Sequence, residues 1–433
     1  MFHAKPLGKL AAPLSARAYA SVSGSAPVIS TANSIKVAAL SGATDSPLAS
    51  VSLVINAGSR YETGENAGAA HFLKAFGFRN TQTRTSFRTI REAELNGATL
   101  TAEATRENIT FTVQCFKEAV PYFVEVLGDI AVATKFTEHE FKDVARLVAF
   151  ESLGARSDSS ARVLDGVHQA AFRGGLGNSL YALESSPITS GDAVRRYAET
   201  AVAPGRLAVV ATGVDAQELA NLVSSSRLAS LTSSASTLSS PSATFTGGVQ
   251  QIYESAAPIS HYALAFASGS ASAKPLAALL GAQSRVKWST TGVAPLSKLA
   301  ATEGFGISPF SFSYSDAGLV GLVVSAPRSQ IKGAVEKIAG AIQRDIASAG
   351  AEAVQRAAAA ARVDMAESLA TQQGQIRALT GLALGQKSGV TLESVDDAAA
   401  KLSAEAAKVF KSKPVAVSVG LSQDTPYVDT LGF

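Results

Sequence analysis

Ser52-Leu-Val-Ile-Asn-Ala-Gly-Ser59 recurs 211 positions later as Ala263-Leu-Ala-Phe-Ala-Ser-Gly-Ser270. Each copy is a short apolar run closed by a glycine, the pattern of a buried strand that ends in a turn. The flanking segments repeat as well. Ile109-Thr-Phe-Thr-Val113 alternates apolar and polar residues, as a strand does, and a helical pattern follows from Lys117 to Val132. Leu319–Val324 followed by Gln330–Ile346 is its counterpart, and Leu207–Val214 is echoed by Val415–Leu421. Long helical patterns cover Glu138–Ser152 in the first half and Ala351–Leu384 in the second. The latter contains five consecutive alanines at 357–361, and alanine loses little side-chain entropy on entering a helix.

A period of about 210 residues belongs to a duplicated domain, since solenoid repeats run roughly 20–50 residues. The chain therefore divides into 26–225 and 247–433. Between them, residues 226–246 are rich in Ser, Thr and Ala, include the helix-stopping Pro241 and lack apolar periodicity, so they read as a flexible linker. Strands interspersed with long helices predict an α+β fold of two homologous domains from a duplication, each a β-sheet packed with α-helices.

The composition narrows the function. The 433 residues are 46% apolar and only 17% charged, which excludes a disordered chain. The single Cys115 excludes an internal disulfide and a cysteine-rich zinc module. It reads as a small buried apolar residue rather than a nucleophile. No apolar run approaches the roughly 18 residues that span a bilayer, so membrane association is expected through partners. The net charge of +3 resides entirely in Lys5, Lys9 and Arg17 of the leader, and the first acid is Asp45. A neutral body without a Lys/Arg cluster is not that of a nucleic-acid binder. Residues 1–20, acid-free and rich in Ala, Ser and spaced cations, have the composition of a mitochondrial presequence. Arg17-Ala18-Tyr19-Ala20-Ser21 predicts a cut between Tyr19 and Ala20, which puts the mature chain in the matrix or on the matrix face of the inner membrane. Gly174-Gly175-Leu-Gly177 is too short and isolated for a phosphate loop. Arg106-Glu107 and Arg195-Arg196 read as solvated or paired surface charges, and Trp288 equally as an interface anchor or a core residue.

One segment bears on chemistry: Ala57-Gly-Ser-Arg-Tyr-Glu-Thr-Gly-Glu-Asn-Ala-Gly-Ala-Ala-His71-Phe-Leu-Lys74-Ala75-Phe-Gly-Phe-Arg-Asn-Thr81. It resembles the zinc-motif region of the pitrilysin-like family, which includes the mitochondrial processing peptidases. That family carries His-x-x-Glu-His on a helix, two histidines on one face for the metal and a glutamate as general base. A second glutamate about 76 residues on completes the ligands. Carried over, the resemblance puts His71 at the first ligand, Lys74 at the general base, Ala75 at the second ligand and Glu151, 76 residues later, at the distal ligand. Alanine offers no lone pair, and a lysine ammonium neither accepts a proton nor tolerates Zn²⁺ beside it. The motif is therefore degenerate, with no catalytic residue and no metal expected. The other histidines offer no replacement ligand pair: His3 is in the leader, and His139, His168 and His261 stand alone.

The resemblance covers nearly the whole mature chain and is strongest to the family's core-protein branch in ubiquinol–cytochrome c reductase, respiratory complex III. Leu279–Ala300, centred on Val286-Lys-Trp-Ser289, is the most specific stretch, with Ser313–Val320 and Ala171–Leu180 in support. The α-type subunit of processing peptidase would carry a long Gly-rich loop where this chain has Gly281–Gly292 with only those two glycines. The resemblance implies a bowl-shaped, non-catalytic structural and assembly subunit on the matrix side of the inner membrane. Its implied partners are core protein 1 and the other complex III subunits in a dimeric complex. Haems and an iron–sulfur cluster would belong to those partners and no cofactor to this chain, which has no cysteine set for either. The alternatives are the non-catalytic substrate-recognition subunit of processing peptidase and an active zinc peptidase.

Overall fold

Alternating strands assemble into two sheets of matching plan. The computed structural model describes residues 28–433 except 33, 42–45, 232–237, 241, 255–257, 282–293, 387–396, 399 and 421. The presequence, Tyr19, Ala20 and the Leu279–Ala300 core with Trp288 thus lie wholly or largely outside the described residues. The first sheet contains β1 (Val28–Ala32), β2 (Ile35–Leu40), β3 (Leu48–Ile55), β4 (Thr99–Ala104), β5 (Ile109–Phe116) and β6 (Leu207–Thr212), in the order β1-β2-β6-β3-β5-β4. The second contains β7 (Val249–Tyr253), β8 (Ile259–Ser268), β9 (Gly306–Ser313), β10 (Gly318–Pro327) and β11 (Val415–Gly420), in the order β7-β11-β8-β10-β9. Each sheet has one parallel pair, β2–β6 and β7–β11, and is otherwise antiparallel. The register repeats too. Leu53 pairs with Phe111 and Val209; Leu264 pairs with Leu322 and Ala416. The duplication thus keeps strand order, direction and pairing, with β1 as an added edge.

The first half carries helices α1 (Ala69–Ala75), α2 (Ser86–Leu95), α3 (Val120–Ala133), α4 (Glu138–Ser157), α5 (Ser159–Phe172), α6 (Gly191–Ala201) and α7 (Ala216–Ser225). The second carries α8 (Ala273–Leu280), α9 (Pro295–Glu303), α10 (Ile331–Ala341), α11 (Ala351–Leu369), α12 (Gln372–Leu384) and α13 (Leu402–Val409). Two patterns break where the sequence reads as continuous. A 3₁₀ turn at Lys117–Ala119 precedes α3, whose first turn takes Pro121 without losing a hydrogen bond. Ala351–Leu384 splits at Thr371, whose hydroxyl accepts from Gly374 N and so starts a new helix.

Ala49, Val51, Leu53 and Ile55 turn one face of the first sheet into a core with α1, α3, α4, α6 and α7. The other face of β2, β3 and β6 presents Ala38, Val54, Ala208 and Val210, and these pack on Ile376, Leu379 and Ala383 of α12. Conversely, Val163, Val167 and Ala171 of α5 pack on Ala263, Leu319, Val323, Val415 and Val417 of the second sheet. Gly166 lets α5 come this close: a Cβ there would meet Val417 Cγ1 at 2.9 Å. Each half therefore lends a helix to the other's sheet, and burial of each large side chain contributes about 1.5–3 kcal/mol.

The described residues of 226–246 are tied to both halves. Leu228 lies in the first core, Ser240 Oγ accepts from Arg60 Nε at 3.1 Å, and Ala243 N and Thr246 N donate to Asp316 and to Ala171 O. Single contacts of this kind leave no apolar period in the sequence. Arg106 and Glu107 also differ from the expectation of surface charges. They are paired but buried, at 9% and 4% exposure, because their hairpin turn lies between the halves.

Candidate functional site

Helix α1 carries the motif, and its start is built around a carboxylate. Glu62 accepts from Gly68 N at 2.8 Å and Ala70 N at 2.7 Å, satisfying amides that a helix end leaves unpaired. Burial pushes the Glu62 carboxyl up to about 7 against the pull of these two bonds. Gly68 enters the helix at φ 90°, where a Cβ would also lie 2.7 Å from Ala182 Cβ.

His71, one turn in, is 3% exposed. Its Nε2 lies 2.5 Å from Glu151 Oε2 on α4, and Lys74 Nζ donates to the same oxygen at 2.6 Å. The structure thus brings His71, Lys74 and Glu151 together, with Ala75 buried beside them. Burial opposes ionisation of Glu151, but the hydrogen bonds from Lys74 and His71 hold its carboxyl below the usual range. Burial lowers His71, with Lys74 adding to the effect and Glu151 opposing it.

The other ring nitrogen fixes the tautomer. Ala182 N lies 3.1 Å from His71 Nδ1. A backbone N–H can only donate, so Nδ1 accepts and the proton of the neutral ring sits on Nε2, pointing at Glu151. A metal on Nε2 needs the opposite arrangement, with the proton on Nδ1 facing an acceptor. The residues therefore do not fit zinc. One ligand position is methyl, an ammonium occupies the distal carboxylate, and the histidine is held in the wrong tautomer. No group of three or more metal-ligating side chains exists among the described residues. What the arrangement does chemically is tie α1 to α4 through a two-donor carboxylate.

The remaining candidates have structural roles. Cys115 is buried in β5, and burial pushes its thiol up to about 11. His168 is not isolated: its Nε2 meets Tyr314 OH of the second half at 2.7 Å and its Nδ1 meets Leu164 O at 2.7 Å. Burial, reinforced by Arg106, lowers His168 to about 3. His261 Nδ1 pairs with Ser325 Oγ at 2.8 Å. Glu62 and the Ala182 amide escaped the sequence reading. Glu62 precedes the motif by nine residues and could have been noticed as an acid ahead of a helix start; a backbone amide leaves no signal.

The chain has relatives among known proteins. Residues 37–183 match the family Insulinase (Peptidase family M16). Cytochrome b-c1 complex subunit 2, mitochondrial, of Cryptococcus neoformans var. grubii is 36% identical over 399 residues, covering 88% of this chain and 89% of the relative. The chain belongs to the cytochrome b-c1 complex subunit 2 family. The Yarrowia lipolytica member is 31% identical over 401 residues, 92% of this chain and 94% of its own length. Mitochondrial-processing peptidase subunit alpha of Solanum tuberosum is 33% identical over 237 residues, 54% of this chain and 46% of the relative. The likeness to the subunit 2 proteins thus runs through both sheets, and the likeness to the peptidase subunit through about half of the chain.

Proposed function

We propose that the chain is a non-catalytic structural and assembly subunit, the second core protein, of the mitochondrial ubiquinol–cytochrome c reductase complex in the respiratory electron transport chain. The observation that carries this is the end-to-end relation to subunit 2 proteins of that complex, joined to a peptidase motif that Lys74 has turned into a salt bridge. The subunit sits on the matrix side of the inner membrane, beside core protein 1 and the other complex III subunits in a dimeric complex, after loss of a presequence cut near Tyr19 and Ala20. Among the described residues no helix is long and apolar enough to cross a membrane, so attachment runs through its partners. Haems and the iron–sulfur cluster reside in those partners, and electron transfer uses no group of this chain.

The second reading, a non-catalytic substrate-recognition subunit of processing peptidase, is favoured by the shorter match to the alpha subunit. Blue-native electrophoresis of mitochondria separates the two. The proposal expects the protein to comigrate with haem b and haem c absorbance; comigration with presequence-cleaving activity and without haem would favour the second reading instead.

A further inference from the structure

The duplication brings two like charges face to face. The β4–β5 turn Thr105–Asn108 and the β9–β10 turn Tyr314–Ala317 are equivalent, since Ala104 pairs with Ile109 and Ser313 with Gly318. The third residue of each is an acid, Glu107 and Asp316, and the turns meet where the halves join: Ser315 Oγ donates to Glu107 at 2.6 Å and Ser315 N at 3.1 Å. One guanidinium lies between the acids. Arg60 Nη1 donates to Glu107 Oε1 at 2.8 Å and to Asp316 Oδ1 at 2.7 Å, and Nη2 donates to Asp316 Oδ2 at 2.5 Å. Two carboxylates on one nitrogen lie within roughly 5–6 Å of each other, the range in which like charges strongly oppose joint ionisation. Arg60 is 6% and Glu107 4% exposed. The position equivalent to Arg60 in the second half is Ala271, so the cation, unlike the acids, was not duplicated. Asp316 is held below the usual carboxylate range, first by its hydrogen bond to Arg60.

We propose that Arg60 is a single-cation clasp closing the two halves at their pseudo-symmetric turns, so that its loss converts an ionic tie between them into repulsion between Glu107 and Asp316. The same turns wall a cavity of about 770 Å³ through Arg106, Asn108 and Tyr314, and the clasp thereby sets its width. Other side-chain links from the turns to the far half are neutral: Tyr314 OH bonds His168 Nε2 at 2.7 Å, and Asn108 and Gln386 exchange amide bonds. Glu103, just before the first turn, makes only an exposed pair with Arg377. Removing one partner of a buried ion network leaves uncompensated charge behind, the costly case.

The test is hydrogen exchange, read by mass spectrometry on the full-length protein, at peptides carrying the Ser315 and Ala243 amides, which bond to Glu107 and Asp316 respectively. Arg60→Gln should speed exchange at both by about tenfold or more. Adding Asp316→Asn, which keeps an acceptor for Ala243 N, should slow exchange again, and Arg60→Lys should exchange more slowly than Arg60→Gln. A clasp by packing alone predicts the reverse: the double variant would exchange as fast as the single or faster, and that result overturns the proposal. If Arg60→Gln accumulates no folded protein, recovery of soluble protein in Arg60→Gln with Asp316→Asn supports the clasp and its absence overturns it.

Discussion

An ammonium has no lone pair to give, and Lys74 spends its protons on Glu151. The degenerate site is therefore closed at three points: Lys74, Ala75 and the Ala182 amide that sets the His71 tautomer. The double change Lys74→Glu with Ala75→His supplies the family's ligand types next to His71 and Glu151. Native mass spectrometry should find more bound zinc in it than in the unchanged protein, and cleavage of a presequence peptide should still lag, because the outer partner of His71 is a donor; such partners matter roughly 10–100-fold. No gain in zinc would show that His71, held by the Ala182 amide, and Glu151 do not serve together as ligands. His168 gives a second residue-level outcome. Its folded pKa of about 3 lies below the ordinary histidine value of 6.5, so between these pH values the unfolded chain binds the extra proton. Its contribution to stability is therefore whole above pH 6.5 and lost on acidification, with a slope of up to about 1.4 kcal/mol per pH unit. In urea unfolding at pH 7 and pH 5, His168→Gln should lower stability at pH 7 and flatten its fall toward pH 5; an unchanged fall would show that His168 is not held neutral. His71 and Glu151 were legible as a pair through the resemblance to the pitrilysin-like zinc motif. The Ala182 amide and the Tyr314 partner of His168 were not, because both arrive from segments 111 and 146 residues away.

At the scale of elements, the exchange of α5 and α12 makes stability in one half depend on sequence in the other. Leu379 is 3% exposed and packs against β2, β3 and β6. Leu379→Ala should cost about 2–5 kcal/mol, and hydrogen exchange should accelerate in the strands at 35–40 and 207–212 at least as much as in α12. Acceleration confined to the second half would refute the exchange. The strands themselves were readable, since apolar runs closed by glycines at 58 and 269 mark them plainly. The exchange was not, because periodicity gives α12 an apolar face without naming the sheet that covers it. The break at Thr371 was hidden for a related reason. Alanine-rich sequence reads as unbroken helix, and the stop is made by local caps: the Thr371 hydroxyl accepts from Gly374 N and donates to Ser368 O, and Gln375 Nε2 donates to Leu369 O.

For the whole molecule, two sheets of one plan are each sheltered by the other's helix and joined through Arg60, Glu107 and Asp316. Its relatives of comparable length are subunits of cytochrome b-c1 complexes, and the chemistry left in its peptidase motif is a salt bridge. The central claim, a structural and assembly role in complex III, is most directly tested by deleting the protein and measuring assembled complex on blue-native gels together with cytochrome absorption spectra. The account predicts a loss of assembled complex III that is restored equally by the unchanged protein and by one carrying Lys74→Ala. Normal amounts of complete complex with normal spectra in the deletion mitochondria would contradict it.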